Sequence, residues 1–259
     1  METKQTNYTI AEQFELPSKG LIYGKANIPA MVQLRSMTGR DEMKLLSPAT
    51  IAPHKVLADI IDSCLIEKLG ISSYDMAYGD YEFLMHKLRV VTFGSQYNMQ
   101  VVCPYCGRTV DTDANLDGLK VKPFDIAKFN ELKTITLPVT QRLITLKYKT
   151  PRMADNINIK VKKAQEETPD ADINFAILFL LTSSIDTIDG VKQNYADLET
   201  FVFNLPAKDL NYILSHLAEL NDSIGLDTTL TIECTNPKCK KEISTFFRAG
   251  PEFLSPTVK

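Results

Sequence analysis

The chain has 259 residues, 44% of them hydrophobic and 24% charged, with 13 Pro, 11 Gly and no Trp. Such a composition is globular and excludes the disordered and fibrous classes. The net charge of -3 provides no global field for nucleic acid or an anionic membrane, so any contact of that kind has to be local.

At this length one large domain and two interleaved domains are both open. Residues 1–20 lack the apolar core and cleavage pattern of a secretion signal, which predicts retention in the cytoplasm. The polar segment 1–27, broken by a turn at Leu16-Pro17-Ser18-Lys19-Gly20, reads as an arm that orders on a partner. Truncating it should therefore leave a folded protein. A strand follows over 30–37, where Val32 and Leu34 alternate with Gln33 and Arg35. Thr38 then caps a helix with Asp41 and Glu42 in its first turn, and that helix stops near Ser47-Pro48.

Two further helices are predicted over 54–69, with Val56, Ile60, Ile61, Leu65 and Leu69 on one face, and over 81–92, with Phe83, Leu84, Leu88 and Val91. The strand 97–102 delivers the chain to Cys103. Strand-like pieces follow at 119–124, 133–138 and 141–149, then an exposed helix over 153–167. The apolar run Phe175 to Leu181 is far short of the roughly 20 residues that span a bilayer, and it falls in a buried helix predicted over 170–183. Asp189-Gly190 supplies the positive φ angles of a tight hairpin turn between 184–188 and 191–193, which makes Asp186 and Asp189 structural. Helices over 196–204 and 207–221 precede a last strand, 228–233, ending at Cys234.

Four of the five cysteines form two close pairs, Cys103-Pro104-Tyr105-Cys106 and Cys234-Thr235-Asn236-Pro237-Lys238-Cys239. In a reducing compartment such pairs point to metal rather than disulfides. Each pair sits between two strand-like runs, so each reads as a hairpin with a metal knuckle at its tip. Together they supply four thiolates to one tetrahedral Zn2+, one per chain, with no coordination position left for catalysis. The competing readings are reduced thiols and a redox CxxC, which normally opens a helix in a βαβ setting. The 127 residues between Cys106 and Cys234 split the ribbon around an inserted segment.

Cys64 reads as a small buried hydrophobe. His54, His86 and His216 lie on predicted helices without partner carboxylates and read as structural or surface residues. No phosphate loop, nucleophile elbow, HExxH or dinucleotide fingerprint occurs, and no enzymatic function is expected. Lys238, Lys240, Lys241 and Arg248 read as solvated charges beside the second knuckle in preference to a nucleic-acid contact.

Several runs taken in order carry a resemblance. Leu16-Pro17-Ser18-Lys19-Gly20-Leu21-Ile22-Tyr23, Val32 through Thr38, Asp41-Glu42, Leu45-Leu46-Ser47-Pro48, Ile60 through Cys64, Gly79-Asp80, Leu88-Arg89, Phe93-Gly94, Tyr97 and Cys103 through Gly107 resemble the baseplate hub assembly proteins of T4-like tailed bacteriophages. Residues 184–190 and the second cysteine pair add less specific support. The resemblance implies a structural or chaperone role in building the central hub of a contractile tail, with other phage tail or baseplate hub proteins as partners and no membrane. Both the host cytoplasm during assembly and the baseplate of the virion fit such a role.

The expected fold is α+β: a 1–27 arm, a 28–96 helical part, a split zinc-ribbon-like pair of β-hairpins (97–118 plus 226–250), an inserted α+β domain (119–225) and a 251–259 tail. The alternative function is a nucleic-acid-binding zinc-ribbon protein of the transcription type.

Overall fold

The computed structural model describes residues 10–47, 52–247 and 253–254. The first nine residues of the expected arm, Pro48, Arg248 and the tail apart from Phe253 and Leu254 lie outside the described residues.

Strand β1 (Ala11–Glu15) pairs antiparallel with β2 (Met31–Arg35), Phe14 opposite Val32. Over residues 10–27 the arm reading is corrected, because the turn that suggested a loose segment is pinned to the core. Leu16 is 1% exposed and Tyr23 joins the same apolar cluster. The Ser18 amide donates to Asp80 Oδ1 at 2.9 Å, its hydroxyl donates to Oδ2, and the Tyr23 hydroxyl donates to Oδ2 at 2.6 Å. Tyr23 accepts in turn from the Ala77 amide at 3.0 Å. Gly20, at φ +74°, is obligatory there, since a Cβ would lie 2.1 Å from the Ile28 carbonyl oxygen. Polar turn residues that look solvated in sequence are satisfied by one buried carboxylate about sixty positions away.

Helix α1 (Gly39–Leu45) begins where Asp41 Oδ2 accepts from the Thr38 amide at 2.9 Å and the Thr38 hydroxyl at 2.8 Å. Burial opposes ionisation of Asp41, but the Arg35 guanidinium at 2.8 Å and these donors hold its carboxyl well below the usual range. Helix α2 (Pro53–Cys64) ends five residues before the expected Leu69. Leu65 turns extended there and bridges Leu34, and the Ile66 amide donates to the Gln33 carbonyl at 2.9 Å, so a strand edge captures the chain. Helix α3 (Tyr78–Phe93) starts earlier than the apolar pattern indicates and buries ten of its residues.

Strands β3 (Gln96–Val102) and β4 (Thr109–Asn115) form the first cysteine hairpin. Of the strand-like pieces expected over 119–138, only β5 (Lys120–Val121) and β6 (Thr134–Thr136) are strand. Between them lies α4 (Ile126–Lys133), capped by Asp125, whose carboxylate accepts from the Ala127 amide at 2.8 Å. Phe129 and Leu132, three apart on one helix face, point into the core.

Next come β7 (Leu143–Leu146), α5 (Pro151–Glu167), α6 (Phe175–Ser184) and β8 (Ile185–Ile188). Helix α6 starts five residues later than expected, at the cap supplied by Asn174, whose side-chain oxygen accepts from the Ile177 amide at 3.2 Å. Strands β6, β7 and β8 form an antiparallel sheet whose Ile135, Ile144, Leu146, Ile185 and Ile188 are buried. After β8, Asp189 at φ +50° and Gly190 at φ +78° make the expected tight turn. The last elements are α7 (Tyr195–Phe203), α8 (Ala207–Asp222), β9 (Leu226–Asp227), β10 (Thr229–Glu233) and β11 (Glu242–Phe246).

The result is a mixed α+β chain of eight helices and small antiparallel sheets among the described residues. Its main apolar cluster runs from Leu16 to Leu254 and draws on both the 28–96 part and the 119–225 segment, so those two share a core. The ends of that segment are already tied together by β5 and β9, with Lys120 opposite Asp227 and Val121 opposite Leu226.

Candidate metal centre

Each cysteine pair sits at the tip of an antiparallel hairpin. In the first, β3 and β4 run in register from Gln96–Asn115 to Val102–Thr109, and the Cys103 amide closes the loop on the Arg108 carbonyl at 2.9 Å. The second, β10 and β11, is closed in the same way by the Cys234 amide on the Lys241 carbonyl at 3.0 Å. The residue after the second cysteine takes a positive φ in both: Gly107 at +69° and Lys240 at +47°. In the first knuckle the Arg108 amide just beyond the kink bonds the Cys106 sulfur, and in the second the Asn236 amide, ahead of the kink, bonds the Cys234 sulfur. The second loop is two residues longer, and Asn236 fills the extra length, its carbonyl accepting from the Cys239 and Lys240 amides.

The hairpins meet through a small apolar cluster of Val101, Val110 and Ile243 with Cys103 and Cys234, apart from the main core. It brings all four sulfurs within 4.8 Å of one another. Cys103 Sγ lies 3.9 Å from Cys239 Sγ, and Cys106 Sγ lies 3.7 Å from Cys234 Sγ. These distances are far too long for a disulfide. A tetrahedron with metal–sulfur bonds of about 2.3 Å has edges of about 3.8 Å, so the spacing fits four thiolates around one ion.

The electrostatics favour a cation. The Arg108 amide and the Asn236 side chain, bonded to its sulfur, pull the Cys106 thiol down to about 6. At Cys234 the Asn236 amide favours the thiolate, yet burial and the neighbouring thiols push the group up to about 12. Four sulfurs this close cannot all ionise against one another, and a divalent ion removes that repulsion. Cys103 and Cys234 are buried while Cys106 is exposed, which shields the cluster on one side. Four cysteines so arranged can bind a metal ion.

The remaining candidates stand apart from the cluster. Cys64 is fully buried on α2, where burial pushes its thiol up to about 11. His54 does have a carboxylate partner, contrary to the sequence reading. Its Nδ1 lies 2.7 Å from Asp155, its Nε2 lies 3.0 Å from the Tyr78 hydroxyl, and Asp155 also accepts from Tyr74 at 3.0 Å. Asp155 is 101 positions away on α5, so no local signal could have paired them. Burial lowers His86, wedged between Phe247 and Phe253, to about 4. His216 is half-buried on α8, its Nδ1 near the Tyr212 carbonyl. The Lys241 ammonium stands 4.6 Å over the Tyr105 ring, bridging the two knuckles from outside.

An α+β body carrying a split pair of hairpins that gather four cysteines defines the class: a mixed-fold protein with a cluster able to hold a metal ion. A family model described as T4 bacteriophage base plate protein matches residues 8–253, and the chain belongs to that family. No curated protein and no solved structure matches. Membership gives the chain a structural role in a phage baseplate and other tail or baseplate proteins as its company. No helix among the described residues is long and apolar enough to cross a membrane.

Proposed function

We propose that this chain is a non-enzymatic component in the assembly of the central hub of a contractile phage tail, holding one structural Zn2+ through Cys103, Cys106, Cys234 and Cys239. The observation that carries the reading is the family match across residues 8–253, which spans the hairpins as well as the body. The hub position rests on the ordered runs from Leu16 to Gly107 described above. The metal assignment is supported by sulfur spacings near the edge of a zinc–thiolate tetrahedron. Four thiolates fill the coordination shell, so the ion contributes folding energy and no open position for a substrate. Its place is at the tips of hairpins too small to hold themselves, where it fixes the geometry of one end of the molecule.

The nucleic-acid alternative gains little, because Asp111, Asp113 and Glu233 share the hairpins with Lys238, Lys240 and Lys241 and oppose phosphate. Co-expression with individually purified tail proteins, followed by pull-down and electron microscopy of particles made without the chain, tests the hub role. Baseplates that assemble normally in its absence would refute it.

A further inference from the structure

A groove of about 420 Å³ separates the two cysteine hairpins, and its walls are strand edges. Every residue from Val110 to Asn115 and from Leu230 to Glu233 lines it. Side chains alternate between the faces of a strand, so a face would contribute only every second residue, and consecutive lining residues mean that an edge looks into the space. No bridge joins the hairpins; each remains a separate two-stranded sheet.

The register says which backbone groups are open. The Leu116 amide donates to the Ser95 carbonyl and the Cys103 amide to the Arg108 carbonyl, so residues 110, 112 and 114 bond inward to β3. Residues 109, 111, 113 and 115 then point their amide and carbonyl groups outward. In the second hairpin, Phe247 to Thr228 and Cys234 to Lys241 are the bonded pairs, which leaves 229, 231 and 233 of β10 outward. Thr229 is taken by its own turn, through Asp227. Asp111 and Asp113 on one wall, Thr231 and Glu233 on the other, remain as open hydrogen-bonding ladders.

The same residues set the chemistry of an occupant. Asp111, Asp113 and Glu233 are exposed, and the first two bond only to the neutral amides of Gln100 at 2.7 Å and Asn98 at 3.2 Å, which leave their charge in place. On the opposite face Val110 and Ala114 are buried and Leu230 and Ile232 partly so. β4 runs away from the cysteines and β10 towards them, so one added strand would be antiparallel to one wall and parallel to the other.

We propose that this groove takes an extended segment of a partner protein in which apolar and basic residues alternate, joining β3–β4 and β10–β11 into one sheet by strand addition. The apolar side chains would meet Val110, Ala114, Leu230 and Ile232; the basic ones would meet Asp111, Asp113 and Glu233. The assembly role proposed above supplies only the source of the strand.

The test uses the isolated full chain and a capped decapeptide of alternating Val and Lys, with a Val–Glu decapeptide as control, read by residue-resolved amide hydrogen exchange. The Val–Lys peptide should slow exchange at least tenfold at Asp111, Asp113, Thr231 and Glu233. The paired variant Asp111→Lys with Asp113→Lys, both on an exposed face, should transfer that protection to the Val–Glu peptide. No protection at these four amides overturns the proposal, as does equal protection by both peptides on the unaltered chain. Protection that rises with the chain's own concentration would mean a second copy, and faster exchange after deletion of residues 1–9 would mean its own terminus; either overturns it. Baseplates that assemble normally without the chain would count against the assembly reading and not against this one, which is measured without them.

Discussion

The body and the cysteine hairpins are held together by different physics. In the body, apolar side chains from every part of the chain share one cluster, and buried carboxylates such as Asp80 and Asp155 gather donors from distant segments. The hairpins bury five residues in their own cluster, and two of those are cysteines. A lone two-stranded hairpin is marginal in water, so the pair relies on whatever neutralises the four sulfurs. The body should tolerate the loss of the hairpins far better than the hairpins tolerate the loss of an ion.

The harshest test of that contrast is removal of residues 1–23, which takes away β1, Leu16, Ser18 and the Tyr23 hydroxyl while leaving every cysteine. Burial of Leu16 and Tyr23 is worth about 2 kcal/mol each, and stranding the Asp80 carboxylate costs about 1–3 kcal/mol more. Marginal stability does not survive such a loss, so cooperative thermal unfolding should disappear. Retention of a sharp transition would show that the body does not need this segment.

Cys103→Ser and Cys239→Ser should act next most strongly, and alike, because on the zinc reading proposed above each removes one of four ligands to a shared ion. Metal analysis should fall from one zinc per chain to near zero in both. Amide exchange should accelerate across β3, β4, β10 and β11 while the sheet of β6, β7 and β8 stays protected. Zinc kept by one variant and lost by the other would split the cluster into two sites.

Acid should probe the body through His86. Its folded pKa is lowered from 6.5 to about 4, so the unfolded chain binds the proton more readily. The stability it carries is therefore complete above pH 6.5 and is lost as the pH falls towards 4, by at most about 3 kcal/mol. His86→Leu should flatten the melting temperature across that window. Gly190→Val should do least, about 1–2 kcal/mol by chemical denaturation. Nothing lies within 4 Å of its Cβ position, so only the strain of φ +78° opposes the substitution.

Local chemistry was legible in the sequence. The alternation before each cysteine pair marked hairpins, Asp189-Gly190 marked a tight turn, and the periodic apolar faces marked α2 and α3. What failed depended on remote partners. Helix α2 stops at Cys64 because the edge of β2 captures Leu65 and Ile66, and the turn at residues 16–20 is ordered because Asp80 lies beneath it. A strand-like reading of 119–138 missed α4, whose only local signals were the Asp125 cap and the spacing of Phe129 and Leu132.

The sequence by itself picked out the four cysteines and the shape of each knuckle, because two cysteines on one tight turn and the residue after them fix their own local geometry. Tertiary structure alone decided that the two turns, with 127 residues between them, bring their sulfurs within 4.8 Å of one another, and that the strands behind them leave two edges open. The distance between the knuckles is set by the packing of Val101, Val110 and Ile243 and by the β5–β9 pair, and contacts between positions that far apart leave no periodicity along the chain to be read.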